Sequence, residues 1–126
     1  MRLKTFFAFA SVVVASTSVP QAVVAAERLD GATVFRQRCQ ACHTAVAGQP
    51  SRVGPNLAGV VGRKAASVPA FNYSAALKAS GLTWTRGNLD RFLQAPARMV
   101  PGTRMAVALT DNAQRAAVLT YLTAPK

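Results

Sequence analysis

Cys39-Gln40-Ala41-Cys42-His43 is the stretch that decides the fold of this chain. It contains both cysteines and the single histidine of the 126 residues. Two thiols followed directly by an imidazole can make three bonds to one rigid macrocycle from a single turn of chain. C-x-x-C-H is the pattern by which c-type haem is attached, with thioether bonds from the thiols and an iron bond from the imidazole. The motif therefore predicts one covalently bound haem c held by Cys39, Cys42 and His43.

Three other uses of a cysteine pair fit the sequence less well. A thioredoxin-like dithiol is typical of a βαβ setting, and no such pattern surrounds the motif. A zinc site needs four ligands, whereas two cysteines and one histidine supply three. A structural disulfide at this spacing would close a small, strained loop. Haem attachment is the prediction favoured over all three.

Residues 1–26 have the features of an export signal. Arg2 and Lys4 form a short basic start, residues 6–15 are apolar, and Val24-Ala25-Ala26 supplies small residues for cleavage. The alternative is a retained membrane anchor, but polar residues and a proline interrupt the apolar run before the roughly 20 residues that span a bilayer. We predict a cleaved signal, an exported protein, and one soluble domain over residues 27–126 with no membrane span.

The second axial position of the iron needs a ligand other than histidine. Met1 belongs to the signal, so the candidates are Met99 and Met105. Met105 ends the run Val100-Pro101-Gly102-Thr103-Arg104-Met105, in which proline and glycine favour a turn that directs the thioether inward. Met99 precedes this turn and is more typical of packing or surface. Met105 is the predicted ligand, with plain core packing as its alternative.

The rest of the mature sequence predicts helices joined by loops rich in glycine and proline, with little strand signal. Residues 48–62 are predicted to form an irregular loop. Pro96 predicts the end of a helix. The helices are predicted to follow Asp30, to cover residues 74–80, to run from Thr85 to Gln94, and to follow Thr110 or Asp111.

The mature chain is strongly basic. Without residues 1–26 it keeps 13 lysines and arginines against four acidic residues, a net charge of +9 before haem propionates are counted. Such an excess favours acidic partners and speeds their encounter. Nucleic acid is disfavoured, because the protein is exported and its basic residues are scattered. An acidic redox partner is the prediction, and charge that only keeps the protein soluble is the alternative.

Together these motifs resemble class I cytochromes c, the group of mitochondrial cytochrome c and bacterial cytochrome c2. The resemblance spans nearly the whole mature chain. It implies an all-α fold, with helices and Gly/Pro-rich loops wrapped around one haem, and it implies a periplasmic location. We predict a monomer. Besides the haem motif, it is carried by Gly54-Pro55-Asn56-Leu57, Gly62-Arg63, Phe71-Asn72-Tyr73-Ser74, Trp84 and Pro101-Gly102-Thr103-Arg104-Met105.

The resemblance also implies roles for individual residues. Met105 would be the second axial ligand, with Phe92 beside it. The carbonyl of Pro55 would accept a hydrogen bond from the His43 ring. Further pocket residues would be Arg63, Tyr73 and Trp84 at a haem propionate, and Thr103 in the turn before Met105. The first and last helices would cross through Gly31, Phe35 and the pair Tyr121-Leu122.

Some positions differ from those that relatives often carry. Leu77 and Phe92 stand where relatives often have Asn and Tyr, and both would lie near the sulfur ligand. Ala95 and Ala97 replace Asn and Lys, and Val107 replaces an aromatic residue, on what would be the docking surface. The partner therefore need not be the one that relatives use.

An iron with histidine and methionine bound has no open position for oxygen, peroxide or substrate. The predicted function is therefore a soluble one-electron carrier between redox proteins, and not an enzyme. Two alternatives stay open. One is a dedicated electron-accepting subunit of a periplasmic dehydrogenase. The other is a haem peroxidase or gas-binding protein with a labile Met105, although no distal histidine is available.

Overall fold

The structure, a computed structural model, describes residues 29–126, so the predicted signal lies outside it. Turns and irregular chain connect the helices, and the described residues contain only one isolated β-bridge, between Lys64 and Thr83. No helix in this range is long and apolar enough to cross a bilayer. The helices are α1 (Gly31–Arg38), α2 (Ala75–Ala79), α3 (Arg86–Gln94), α4 (Pro96–Met99) and α5 (Asn112–Thr123).

The predicted helix starts are confirmed. Side-chain oxygens of Asp30, Thr85 and Asp111 accept hydrogen bonds from backbone N–H groups in the first turns of α1, α3 and α5. Ser74 caps α2 in the same way. These bonds satisfy N–H groups that have no partner inside a helix, which is why the chain turns helical at these residues. Of the two caps considered for the last helix, Asp111 is the one used.

The short helix α4 was not predicted. Proline at position 96 predicts the end of α3, and α3 does end at Gln94. The same proline then begins a new helical turn. Proline suits the first position of a helix, because its fixed φ is helical and its missing N–H would have no partner there. The chain therefore changes direction at Ala95 and continues through α4 into the segment that carries Met105.

The two terminal helices cross and form the centre of the core. The ring centroids of Phe35 on α1 and Tyr121 on α5 are 5.3 Å apart. Val118 of α5 is fully buried. A Cβ atom on Gly31 would lie 2.7 Å from Tyr121 Cβ and still closer to the carbonyl oxygen of Ala117. The crossing predicted from the resemblance is confirmed, and the helices approach this closely because position 31 has no side chain.

The loop of residues 48–62 is irregular, as predicted, and the side chain of Asn56 organises it. Asn56 Nδ2 donates to the carbonyl oxygens of Val46 at 2.9 Å and Gln49 at 2.7 Å. Its Oδ1 accepts from the N–H of Ala58 at 2.7 Å, and its own N–H donates to Ser51 Oγ at 3.0 Å. One amide side chain thus supplies the bonds that a helix or sheet would otherwise provide.

We expect Gly31→Ala to lower the free energy of unfolding of the haem-loaded protein by about 1–3 kcal/mol, because the added methyl group overpacks the helix crossing. Denaturant unfolding followed by circular dichroism measures this. Gly87→Ala in α3 is the matched control, since a Cβ there meets nothing within 4 Å. It should leave stability unchanged or raise it by about 0.4–1 kcal/mol. Equal effects of the two variants would contradict the tight crossing.

Candidate functional site

One cavity of about 410 Å³ lies against the core and brings the predicted site together. Most of its other lining residues are apolar, for example Leu57, Val60 and Leu109. All ten predicted site residues line it: Cys39, Cys42, His43, Pro55, Arg63, Tyr73, Trp84, Phe92, Thr103 and Met105. The helices supply few of these residues, and the loops supply most of them.

The haem motif is presented by a turn at the end of α1. The Cys39 N–H closes the helix on the carbonyl of Phe35. The Cys39 carbonyl then accepts from the N–H groups of Cys42 at 3.0 Å and His43 at 2.9 Å. This tight turn places both thiols and the imidazole on the same cavity wall. Both cysteines are free thiols and half-buried, so no disulfide joins them.

Burial raises the pKa of the Cys39 thiol to about 11, although the nearby Arg38 charge acts in the opposite direction. The unattached sulfur is therefore a neutral thiol at pH 7. A neutral thiol is compatible with the apolar wall around it, whereas a thiolate would be poorly solvated there.

The His43 ring is oriented by a backbone carbonyl. Its Nδ1 lies 2.8 Å from the carbonyl oxygen of Pro55. A carbonyl oxygen only accepts, so Nδ1 carries the proton and Nε2 keeps a free lone pair. Burial lowers the pKa of His43, while the Pro55 hydrogen bond acts in the opposite direction. The imidazole is thus neutral at pH 7, which is the form that binds a metal ion.

Gly54 lies directly against the His43 imidazole. A Cβ atom at this position would lie 2.6 Å from His43 Nδ1 and 2.7 Å from Nε2. The Gly54 N–H also donates to the carbonyl oxygen of Cys42 at 2.8 Å. Only glycine lets the chain pass this close to the ring. The residues alone gave Gly54 no such role, because the contact becomes visible only when the loop folds back onto the motif.

The two candidate methionines are placed differently. Met105 is half-buried and lines the cavity, whereas Met99 lies at the end of α4, packs against the core and does not line it. The turn before Met105 is present: Gly102 has φ +93°, and the Thr103 N–H donates to the carbonyl of Val100 at 3.0 Å. The predicted inward turn is confirmed, and it separates the two side chains.

Arg63 and Trp84 are neighbours because their backbones pair. The Trp84 N–H donates to the Arg63 carbonyl at 2.8 Å, and the Gly62 N–H donates to the Trp84 carbonyl at 2.8 Å. The Arg63 guanidinium donates to the carbonyl oxygens of Ala58 and Asn56, each at 2.9 Å. Arg63 is therefore fixed at the cavity wall and is not a freely solvated surface charge.

The predicted aromatic residues are buried around the cavity. The Tyr73 hydroxyl accepts from the Val68 N–H at 3.2 Å, which leaves its own proton free to donate. The ring centroids of Trp84 and Phe92 are 5.0 Å apart. Phe92 shares the cavity lining with Met105. These rings form a rigid wall for a flat apolar group.

The charged groups that line the cavity are all basic. They are Arg38, Arg63, Lys64 and Arg104, and among residues 29–126 no aspartate or glutamate lines it. An apolar cavity with a basic border suits a large apolar molecule that carries negative groups at its edge.

The sequence profile of the cytochrome c family matches residues 29–124. Cytochrome c2 of Rhodomicrobium vannielii is 44% identical over 102 residues, which cover 80% of this chain and 81% of that protein. The chain belongs to the cytochrome c family. Cytochrome c of Stellaria longipes is 40% identical over 93 residues, or 73% of this chain and 86% of that protein. Among solved structures, cytochrome cH from Methylobacterium extorquens aligns with a TM-score of 0.67 and 38% identity, covering 73% of this chain and 92% of that one.

The all-α cytochrome c fold is thereby confirmed. As a cytochrome c, the protein is an electron carrier and not an enzyme, and its cofactor is covalently attached haem c. The residues present fit that group: two free thiols, a neutral imidazole with a free Nε2 lone pair, and an apolar cavity bordered by basic side chains.

We expect Gly54→Ala to displace the His43 ring or to move the loop away from the haem motif, because the added methyl group would overlap the imidazole. Overpacking of this kind costs about 1–3 kcal/mol of stability. Absorption spectra of the haem-loaded protein should change at the same time, since His43 is the predicted iron ligand. An unchanged spectrum together with unchanged stability would show that the ring is not held in this way.

Proposed function

We propose that the protein is an exported, soluble, monomeric carrier that moves one electron at a time between redox proteins, with its iron held by His43 and Met105. The supporting observation is that the free Nε2 of His43 and the Met105 side chain belong to the same cavity, whereas Met99 does not. Residues 1–26 support export through their composition.

Each part of the site contributes one property to this carrier. Haem c supplies an iron that gains and loses one electron. Cys39 and Cys42 would hold it covalently, so the cofactor could not be lost between partners. The hydrogen bond to Pro55 raises the donor strength of the imidazole. A methionine thioether favours reduced iron and raises the potential relative to two histidines. The apolar wall would place few polar groups around the haem that could reorient on electron transfer.

The mouth of the cavity supports docking of an acidic partner. Val53, which is 81% exposed, and Val107, which is 47% exposed, both lie there. The exposed basic side chains of Arg38, Lys64 and Arg104 border the same opening. A small apolar patch within a basic border is typical of a transient interface, in which opposite charges speed the encounter and a small apolar contact forms the short-lived complex.

The acidic residues of the described chain are engaged within the protein. The carboxylates of Asp30 and Asp111 cap helices, and Asp90 pairs with Arg115 at 2.9 Å. These carboxylates are thus held by intramolecular partners, while most of the basic residues face solvent. This imbalance favours an acidic partner over a basic one.

The ligand assignment is tested by Met105→Ala with Met99→Ala as its control. We expect Met105→Ala to remove the weak long-wavelength absorption that a methionine sulfur gives to oxidised haem, and to let the reduced protein bind carbon monoxide. Met99→Ala should keep the band, because Met99 does not line the cavity. Survival of the band in Met105→Ala would refute the assignment, and a high-spin wild-type spectrum would favour a gas-binding or peroxidase function instead.

The docking surface is tested by Lys64→Glu with Lys78→Glu as its control. Both lysines are exposed and both variants change the net charge by the same amount, but only Lys64 borders the cavity mouth. On a carboxylate-coated electrode, Lys64→Glu should lose its voltammetric signal at lower salt than Lys78→Glu does. Equal losses would indicate that net charge alone, without an oriented surface, governs the encounter.

A further inference from the structure

Arg115 is the one charged side chain that is buried among residues 29–126, with 4% of its surface exposed. Its Nε donates to Asp90 Oδ1 of α3 at 2.9 Å. Its Nη1 donates to the carbonyl oxygens of Leu109 at 2.9 Å and Thr110 at 2.7 Å. Its Nη2 donates to Asn112 Oδ1 at the start of α5. One guanidinium thus joins α3, α5 and the loop between α4 and α5.

That loop is the segment that carries Met105. Before Met105, the side chain of Arg104 donates to the carbonyl oxygen of Asn72 at 2.7 Å. After it, the Leu109 N–H donates to the carbonyl oxygen of Leu93 on α3 at 2.7 Å, and Arg115 binds the next two carbonyls. Residues 106–108 make no hydrogen bond to any other described residue. Met105 is therefore held between two arginine attachments, and the stretch directly after it, residues 106–108, has no hydrogen bonds of its own within the described chain.

Asp90 is what allows Arg115 to be buried in this place. A buried guanidinium without a counter-charge is strongly destabilising, and the carboxylate also fixes the orientation of the planar guanidinium group. In this orientation Nη1 of Arg115 faces the carbonyl oxygens of Leu109 and Thr110. Without Asp90 the buried guanidinium loses its counter-charge, which favours a turn of Arg115 toward water. The loop would then lose both Arg115 bonds and keep only the Leu109–Leu93 backbone bond on the C-terminal side of Met105.

We propose that the Asp90–Arg115 pair is a positioning device that keeps the Met105 thioether on the haem iron. This rests on the proposed ligand role of Met105. The pair touches neither the cofactor nor the sulfur. It acts by limiting how far residues 105–110 can move from α3, so its loss should open the iron while the covalent bonds and the helices persist.

The test compares Asp90→Asn and Arg115→Lys with Leu119→Ala, all in the haem-loaded protein. Asn removes the charge and keeps the shape, and Asp90 has a side chain that is 43% exposed, so this variant should fold. Lysine keeps the positive charge but has no planar guanidinium group, so it cannot bind Asp90 and both loop carbonyls in the same geometry. Leu119 lies on α5 like Arg115, is buried and does not line the cavity. It makes no hydrogen bond to the loop, so its truncation should lower stability while the bonds from Arg115 to the loop carbonyls remain.

Two signals are followed during denaturant titration: the long-wavelength band of methionine-bound oxidised haem and the circular dichroism of the helices. In Asp90→Asn and Arg115→Lys the band should disappear well before the helices unfold. The apparent affinity of the reduced protein for carbon monoxide should rise about tenfold, since it follows the fraction of open iron. In Leu119→Ala both signals should shift together, with little change in carbon monoxide binding before unfolding.

If the pair variants behave like Leu119→Ala, the pair serves general stability only and the inference is wrong. Failure of the ligand proposal has a different signature, because then Met105→Ala itself would keep the band. The two failures are therefore distinguishable in the same set of spectra.

Discussion

The hydrogen bond between His43 and the carbonyl of Pro55 is the contact on which the rest of the site depends. It joins the haem motif at the end of α1 to a loop that has no regular structure of its own. That loop is kept in shape by Asn56 and continues to Arg63, whose backbone pairs with Trp84 just before α3. A bond at one ring nitrogen thus sets the tautomer of His43, and the loop that makes it also leads to Arg63 and Trp84 in the cavity wall.

Local signals in the sequence predicted most of the helices and the turn before Met105. Caps such as Asp30 and Thr85 act on the next few residues, so their effect can be recognised without the fold. The haem motif is local in the same sense. For the same reason α4 could have been found, since a proline that ends one helix is also suited to begin another.

What the sequence did not reveal depends on contacts between distant parts of the chain. Gly54 matters because it lies against His43, and Arg115 is buried because Asp90 faces it from another helix. An arginine on a surface helix is normally expected in solvent, and the residues around Arg115 in the sequence give no reason to expect its burial. The proposed second axial ligand is an intermediate case. The turn before Met105 was visible in the sequence, but only the cavity distinguishes Met105, which lines it, from Met99, which does not.

The crossing of α1 and α5 has a consequence for the order of assembly. It joins the two ends of the described chain, so this contact forms only after the chain has been made through α5. Closing so long a loop carries an entropic cost that local turns do not have. Cys39 and Cys42, by contrast, directly follow the first described helix. During synthesis from the N-terminus both thiols are therefore present, and still uncovered, long before the residues that later enclose them exist.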